Sequence, residues 1–223
     1  MKNPNLCTNK IELELSDQGI ILIAGVDEVG RGALAGPVLA AAVILNLDNI
    51  PSGLNDSKKL SAKARSLLAK EIKASAIAIS IAEISALEID QTNIHQASLK
   101  AMFKAVLGLT PTPEYILVDG FAIPKIKIAQ RAIIKGDALS VSIAAASIVA
   151  KVTRDEIMQA YDLTWPDYGF ARHVGYGTAN HLASLRKHGV SPIHRKSFHG
   201  VLPSETQLML PLEFEQDSNS KDG

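Results

Sequence analysis

The chain has 223 residues, 47% of them hydrophobic and 21% charged, a balance that supports one sizeable core and excludes both a disordered polyelectrolyte and a membrane protein. Basic and acidic residues number 23 each, so no global field draws the protein to nucleic acid and any such binding must come from a local patch. The lone cysteine, Cys7, excludes an intrachain disulfide and a cysteine-held zinc, and fits a reducing cytoplasm.

Met1 to Ser16 carries Asn, Lys and Glu with no sustained apolar run, which makes neither a signal peptide nor a spanning helix, so no membrane contact is expected. Gly19 to Val26 is a β-rich run ending in Asp27 and Glu28, and Pro37 to Leu45 is a second one after a Gly-rich turn, which together predict a hairpin. Ser61 to Ser75 follows a loop and has a capping serine with apolar residues at helical spacing. Ala76 to Ile84 alternates as a third strand, and Gln91 to Leu107 reads as a helix closed by Gly108 and Pro111. Short strands follow at Glu114 to Val118, ending at Asp119-Gly120, and at Ile128 to Ile134, ending at Lys135-Gly136-Asp137. A long helix from about Leu139 to Leu163 begins with small residues that let it lie close to a sheet. Another runs from about Thr178 to Lys187. Three antiparallel strands followed by alternating helix and strand predict an α/β domain, a mixed five-stranded sheet flanked by helices with additional C-terminal helices. It is expected to fill residues 1–203, with a flexible tail over 204–223 and no requirement for an oligomer.

Four carboxylates stand out by position: Asp27 and Glu28 at the end of the first predicted strand, Asp119 at the end of the fourth, and Asp137 just after the fifth. Strand ends meeting at one sheet edge are where α/β proteins build sites. Crowded carboxylates repel, and a hard cation such as Mg²⁺ or Mn²⁺ relieves them. Two such ions suit phosphodiester hydrolysis. Neighbouring strand residues point to opposite faces, so Asp27 and Glu28 reach one site only if the chain bends, which Gly30 and Gly32 allow. Each residue also has a plainer reading: Asp137 as a helix cap, Asp119 as turn chemistry, Glu28 as a surface partner of Arg31.

The turn from Val29 to Ala33 lets backbone approach a phosphate or sugar, with Arg31 as a charged fork. As a dinucleotide loop it fits badly, because Gly30-x-Gly32-x-x-x-Gly36 is one residue too long and precedes a strand. Between Asp167 and Glu205 there is no acidic residue, while Arg172, Arg186, Lys187, Arg195, Lys196 and five of the six histidines fall there. That is the local basic patch.

The run Gly25-Val-Asp-Glu-Val-Gly-Arg-Gly32, with Leu54 to Leu60, Val118 to Gly120, Lys135 to Asp137, Ser147 to Asp155, Gly175 to Thr178 and His194 to Phe198, resembles bacterial ribonuclease HII. The resemblance implies a ribonuclease H-like fold and a site of Asp27, Glu28, Asp119 and Asp137 binding Mg²⁺ or Mn²⁺. It implies hydrolysis of the RNA strand of RNA-DNA hybrids and cutting 5′ of ribonucleotides embedded in duplex DNA. Gly30, Arg31 and Gly32 would sense the 2′-hydroxyl and Tyr176 would stack on the sugar; the plain reading of Tyr176 is a half-buried aromatic. Lys58, Lys59, Arg172, Arg195 and Lys196 would grip phosphates, or else be solvated surface charges. Val174 departs from the family, which has lysine there, at the expense of one phosphate contact. His173 and His194 are expected to contact backbone rather than act as bases. In the tail, Gln207, Leu208, Leu210 and Leu212 resemble the short peptide by which replication proteins dock on the bacterial sliding clamp, and the alternative is that they pack on the domain. Two rival functions stay open, a DNA nuclease on the same fold and a non-catalytic nucleic-acid-binding module.

Overall fold

In the second strand, Val38–Ile44, every side chain is buried, and its centre is three alanines. Such a strand belongs in the middle of a sheet covered on both faces. The computed structural model describes residues 7–202 and places it there. The strands β1 (Ile23–Val29), β2 (Val38–Ile44), β3 (Ala78–Ile84), β4 (Tyr115–Asp119) and β5 (Ala129–Ile133) form one sheet in the order β3-β2-β1-β4-β5. Both β1–β2 and β2–β3 are antiparallel, whereas β1–β4 and β4–β5 are parallel. The predicted mixed sheet is therefore observed, with its topological switch at β1 and β4.

The helices are α1 (Lys10–Ser16), α2 (Ala62–Ser75), α3 (Ala86–Gln91), α4 (Ile94–Leu107), α5 (Val141–Thr164), α6 (Phe170–His173) and α7 (Ala179–His188). One face of the sheet (Ala24, Val26, Val38, Ala40, Ala42) packs on α4, and the other (Leu39, Ala41, Val43) on α2 and α5. Small residues on both sides let α5 approach closely: a Cβ at Gly25 would lie 2.0 Å from the carbonyl carbon of Ser142. A third cluster, Ala35, Met158, Tyr168, Phe170 and Leu185, fastens α6 and α7 to the loop between β1 and β2.

Three helices were not predicted, α1, α3 and the four-residue α6. α1 is too charged to show an apolar face, yet its Glu12 is buried and accepts from Ser142 N at 3.0 Å and from the Ser140 hydroxyl, closing the N-terminus of α5. α3 is announced by a capping box of Ser85 and Glu88. The first strand ends at Val29, with Asp27 and Glu28 in its last three residues, as expected. Among the described residues no helix is long and apolar enough to cross a membrane.

Candidate active site

The last rung between β1 and β4 joins Val26 to Val118, so Asp27 and Asp119 follow at the same level on adjacent parallel strands. Both share the α5 face with Gly25 and Leu117 by strand alternation. Glu28 belongs to the other face, but beyond that rung β1 has no β4 neighbour to block it. All three line one cavity of about 320 Å³ at the strand ends. Ser147 and Lys151, one turn apart on α5, form its floor together with Ser57 and Arg65.

Burial dominates the electrostatics. Asp27, 6% exposed, is pushed well above the ordinary carboxylate range by desolvation and then by the charges of Glu28 and Asp119, against hydrogen bonds from Ser147 and from Glu28 N. Glu28 is raised by burial too, opposed by Arg31, whose Nη1 donates to Glu28 Oε1 at 3.2 Å. The plain reading of Glu28 and Arg31 as a pair is thus realised, inside the cavity instead of on the surface. Asp119 Oδ1 accepts from Gly136 N at 2.7 Å, which ties the end of β4 to the short turn Gly136–Ala138 that carries Asp137. Asp137 is buried, and desolvation followed by Asp56 and Asp119 pushes its pKa up while Lys58 opposes. It does not line the cavity itself, but it stands close enough to Asp119 for that charge to act on it.

Among the described residues, no three histidine, cysteine, aspartate or glutamate side chains stand close enough to ligate one ion as placed. The donor chemistry still fits a hard divalent cation. The oxygens are all carboxylate, the site is electrostatically unfavourable without a counter-charge, and Glu28 Oε2 is buried with no hydrogen-bond partner. Side-chain rotation about Asp27 and Glu28 would be needed to complete a ligand set.

The glycine loop lies against the cavity mouth, with Gly30, Arg31, Gly32 and Tyr176 in its lining. Gly30 has φ +90, and a Cβ there would meet Arg154 Nε at 2.1 Å. The loop is held by two buried arginines, neither of which was predicted to do this. Arg154 donates to the carbonyls of Pro37, Val174 and Ala35 at 3.0, 2.8 and 3.1 Å. Arg195 donates to Gly36 O at 3.0 Å and Arg31 O at 2.9 Å. The expectation that Arg195 grips phosphate is corrected: it is 0% exposed, and burial together with the Arg154 charge pushes its pKa down to about 9. Its guanidinium is spent on backbone. Arg172, Lys58, Lys59 and Lys196 are exposed, and of these Lys58 lines the cavity. Gln207, Leu208, Leu210 and Leu212 lie outside the described residues, as does the expected boundary at 203.

Sequence reasoning gave no role to Ser57, Arg65, Ser147 or Lys151. The helical spacing of Ser147 and Lys151 inside a recognised motif was the available signal.

Comparisons with known proteins give the family and the fold. The ribonuclease HII family profile matches residues 24–201. A ribonuclease HII of Syntrophomonas wolfei is 52% identical over 192 residues, 86% of this chain and 75% of that protein. The ribonuclease H2 from Pyrococcus horikoshii OT3 superposes with a TM-score of 0.69 at 25% identity, over 80% of this chain and 94% of that one. The structure of the PCNA:RNase HII complex from Archaeoglobus fulgidus matches with a TM-score of 0.68 at 26% identity, over 78% and 93%. The chain belongs to the ribonuclease HII family and is a ribonuclease H, an endonuclease.

Proposed function

We propose that this enzyme hydrolyses the RNA strand of RNA-DNA hybrids and also cuts 5′ of single ribonucleotides embedded in duplex DNA, with water attacking in line and leaving a 3′-hydroxyl and a 5′-phosphate. The observation that carries this reading is the shared cavity: Asp27, Glu28 and Asp119 line it together with Gly30, Arg31, Gly32 and Tyr176. Chemistry and ribose recognition therefore meet within one nucleotide's reach. Asp27, Glu28, Asp119 and Asp137 would hold two Mg²⁺ or Mn²⁺ ions. Such ions supply, when bound, the positive charge that activates a water and stabilises the leaving oxygen. The backbone of Gly30 to Gly32 approaches the 2′-hydroxyl, Arg31 faces the backbone phosphate, and the Tyr176 ring, half-exposed at the mouth, stacks on the sugar. Lys58, Lys59, Arg172 and Lys196 contact flanking phosphates. The protein would work as a cytoplasmic monomer.

The test is cleavage of a labelled DNA duplex carrying one ribonucleotide, with all-DNA and all-RNA duplex controls, in Mg²⁺, Mn²⁺ and EDTA. A metal-dependent cut 5′ of the ribonucleotide with both controls intact is expected. Cutting of all-DNA substrates would favour the rival nuclease, and cutting of long hybrids alone would remove the single-ribonucleotide role of the glycine loop.

A second reading concerns recruitment. A relative at 26% identity is a ribonuclease HII solved in complex with PCNA, which supports clamp docking through Gln207, Leu208, Leu210 and Leu212. Deleting Thr206 to Gly223 should abolish binding to the bacterial sliding clamp and leave cleavage of a short duplex unchanged; equal clamp binding by the truncated protein would refute it.

A further inference from the structure

Behind Tyr176 three imidazoles are packed away from water. His181 is 0% and His194 1% exposed, and His173 is also buried. They sit against Phe170, with the rings of His173 and His181 stacked at 4.4 Å. Every ring nitrogen has a partner, and the partners leave one choice of tautomer. Ser191 N donates to His194 Nδ1 at 2.9 Å, so the proton of a neutral His194 is on Nε2. That proton faces His181 Nε2 at 3.0 Å, which must accept, so the His181 proton is on Nδ1. His181 Nδ1 lies 3.0 Å from the Tyr176 carbonyl oxygen, which can only accept, and the chain closes without conflict. His173 follows the same logic: Nδ1 accepts from Gly175 N at 3.2 Å and Nε2 donates to Tyr168 O at 2.8 Å.

The chain of donors thus runs from Ser191 through His194 and His181 to the peptide that carries Tyr176. That peptide stands between two glycines, Gly175 and Gly177; its N–H donates to His173 O at 2.9 Å, its carbonyl accepts from Thr178 N at 2.8 Å as well as from His181, and an isolated bridge joins it to Ala33. The flanking glycines add no side-chain packing to the peptide, and the ring lies 5.7 Å from the Arg154 guanidinium. The buried histidines add a second, side-chain donor to the Tyr176 carbonyl beside that of Thr178 N.

We infer that His181 is a positioning residue for the cleavage reaction: its Nδ1–H, oriented by His194, holds the Tyr176 carbonyl and so sets the height of the phenol ring over the cavity. The inference rests on the reading of Tyr176 as the residue that stacks on the sugar. It also assigns buried histidines to substrate geometry rather than to proton transfer.

The experiment uses the full chain. Nitrogen-15 NMR at neutral pH should show His181 as the Nδ1–H tautomer and His173 and His194 as Nε2–H; His181 as Nε2–H overturns the inference without any variant. Two substitutions then separate positioning from packing. In His181→Asn the side-chain amide falls near the Nδ1 position and keeps a donor for Tyr176, whereas in His181→Gln it falls near Nε2 and keeps only the link to His194. On a duplex with one ribonucleotide, kcat should fall about tenfold in H181Q, the weight of one hydrogen bond, with KM unchanged. H181N should stay within about threefold of the parent, because the donor survives. Equal losses of kcat in the two variants overturn the inference. Tyr176→Ala serves as the reference. If it keeps the parental rate, the stacking reading fails and the functional half of the inference fails with it; if it loses rate while H181Q does not, the inference alone is overturned.

Discussion

The carboxylate end of the sheet and the module of residues 168–195 treat buried polar groups in opposite ways. At the strand ends Asp27, Glu28 and Asp137 are desolvated beside like charges, all with raised pKa, and Glu28 Oε2 is left without a partner. In the C-terminal module the buried His173, His181 and His194 have every ring nitrogen matched, Arg195 gives Nε and Nη1 to carbonyls with only its Nη2 left without a hydrogen-bond partner, and Arg154 of α5 beside it gives its guanidinium to carbonyls. The first region stores unfavourable electrostatics that a ligand can relieve. The second, but for Arg195 Nη2, is satisfied within the protein and holds shape. A group left in want is a candidate for chemistry, and a group fully supplied is a candidate for positioning.

The largest expected effect tests the first half of that contrast. Asp27→Asn should lower kcat/KM on the single-ribonucleotide duplex by about a thousandfold or more, the scale of losing a preorganised electrostatic group. The same change should raise stability at pH 7. The folded-state pKa of Asp27 lies above its unfolded value, so its contribution to stability is present at low pH and is lost as pH rises through the folded pKa. Removing the charge should therefore raise Tm at pH 7. An Asp27→Asn protein that is active, or that melts lower, would break the contrast.

The satisfied region predicts the opposite response to acid. Burial, then the neighbouring His181, pushes the His194 pKa down to about 4. Between about pH 6.5 and that value the unfolded chain takes up a proton that the folded chain refuses, so stability falls as pH falls, by about 3 kcal/mol in all. His181, lowered mainly by burial, adds in the same direction. Thermal melts from pH 7.5 to 4 should show this loss in the parent and a flatter curve in a His194→Gln variant. Parallel curves would show that the imidazole is not the titrating group.

Much of this was legible before the fold was known, and the split follows the same contrast. Asp27, Glu28, Asp119 and Asp137 announce themselves because carboxylates are rarely placed at apolar strand ends without a use. The mixed sheet was legible from strand alternation and spacing. Arg195 misled, because a cation in an acid-free segment reads as a phosphate ligand until its burial is known. Glu12 was silent, and Arg154, although inside the Ser147 to Asp155 motif, gave no sign of its role, because bonding to backbone far along the chain leaves no periodicity to read. The Arg195 assignment can be tested directly: Arg195→Lys, which cannot reach both Gly36 O and Arg31 O, should reduce kcat/KM about tenfold while leaving its salt dependence unchanged. A shallower salt dependence would restore the phosphate role.

The smallest effects lie where the basic surface meets the duplex, and there the contrast is sharpened by position 174. Val174 adopts φ 44, a left-handed conformation that a β-branched residue resists, and its carbonyl is held by Arg154 Nη1 at 2.8 Å. The backbone there is fixed by the positioning network whatever the side chain is. A lysine in place of the valine relieves the β-branch and offers a cation on the side of the cavity where Tyr176 stands. Val174→Lys should therefore raise Tm slightly and steepen the dependence of log Kd on log salt by about 0.9, one phosphate contact. Lys196→Ala should make it shallower by the same amount, about 0.9, with no change in Tm, since Lys196 is exposed. Duplex binding from 50 to 200 mM salt in EDTA measures both. If Val174→Lys steepens the slope but Lys196→Ala leaves it untouched, the duplex runs past the Tyr176 side of the module and not past the turn at Lys196, which bounds the footprint of the protein on its substrate.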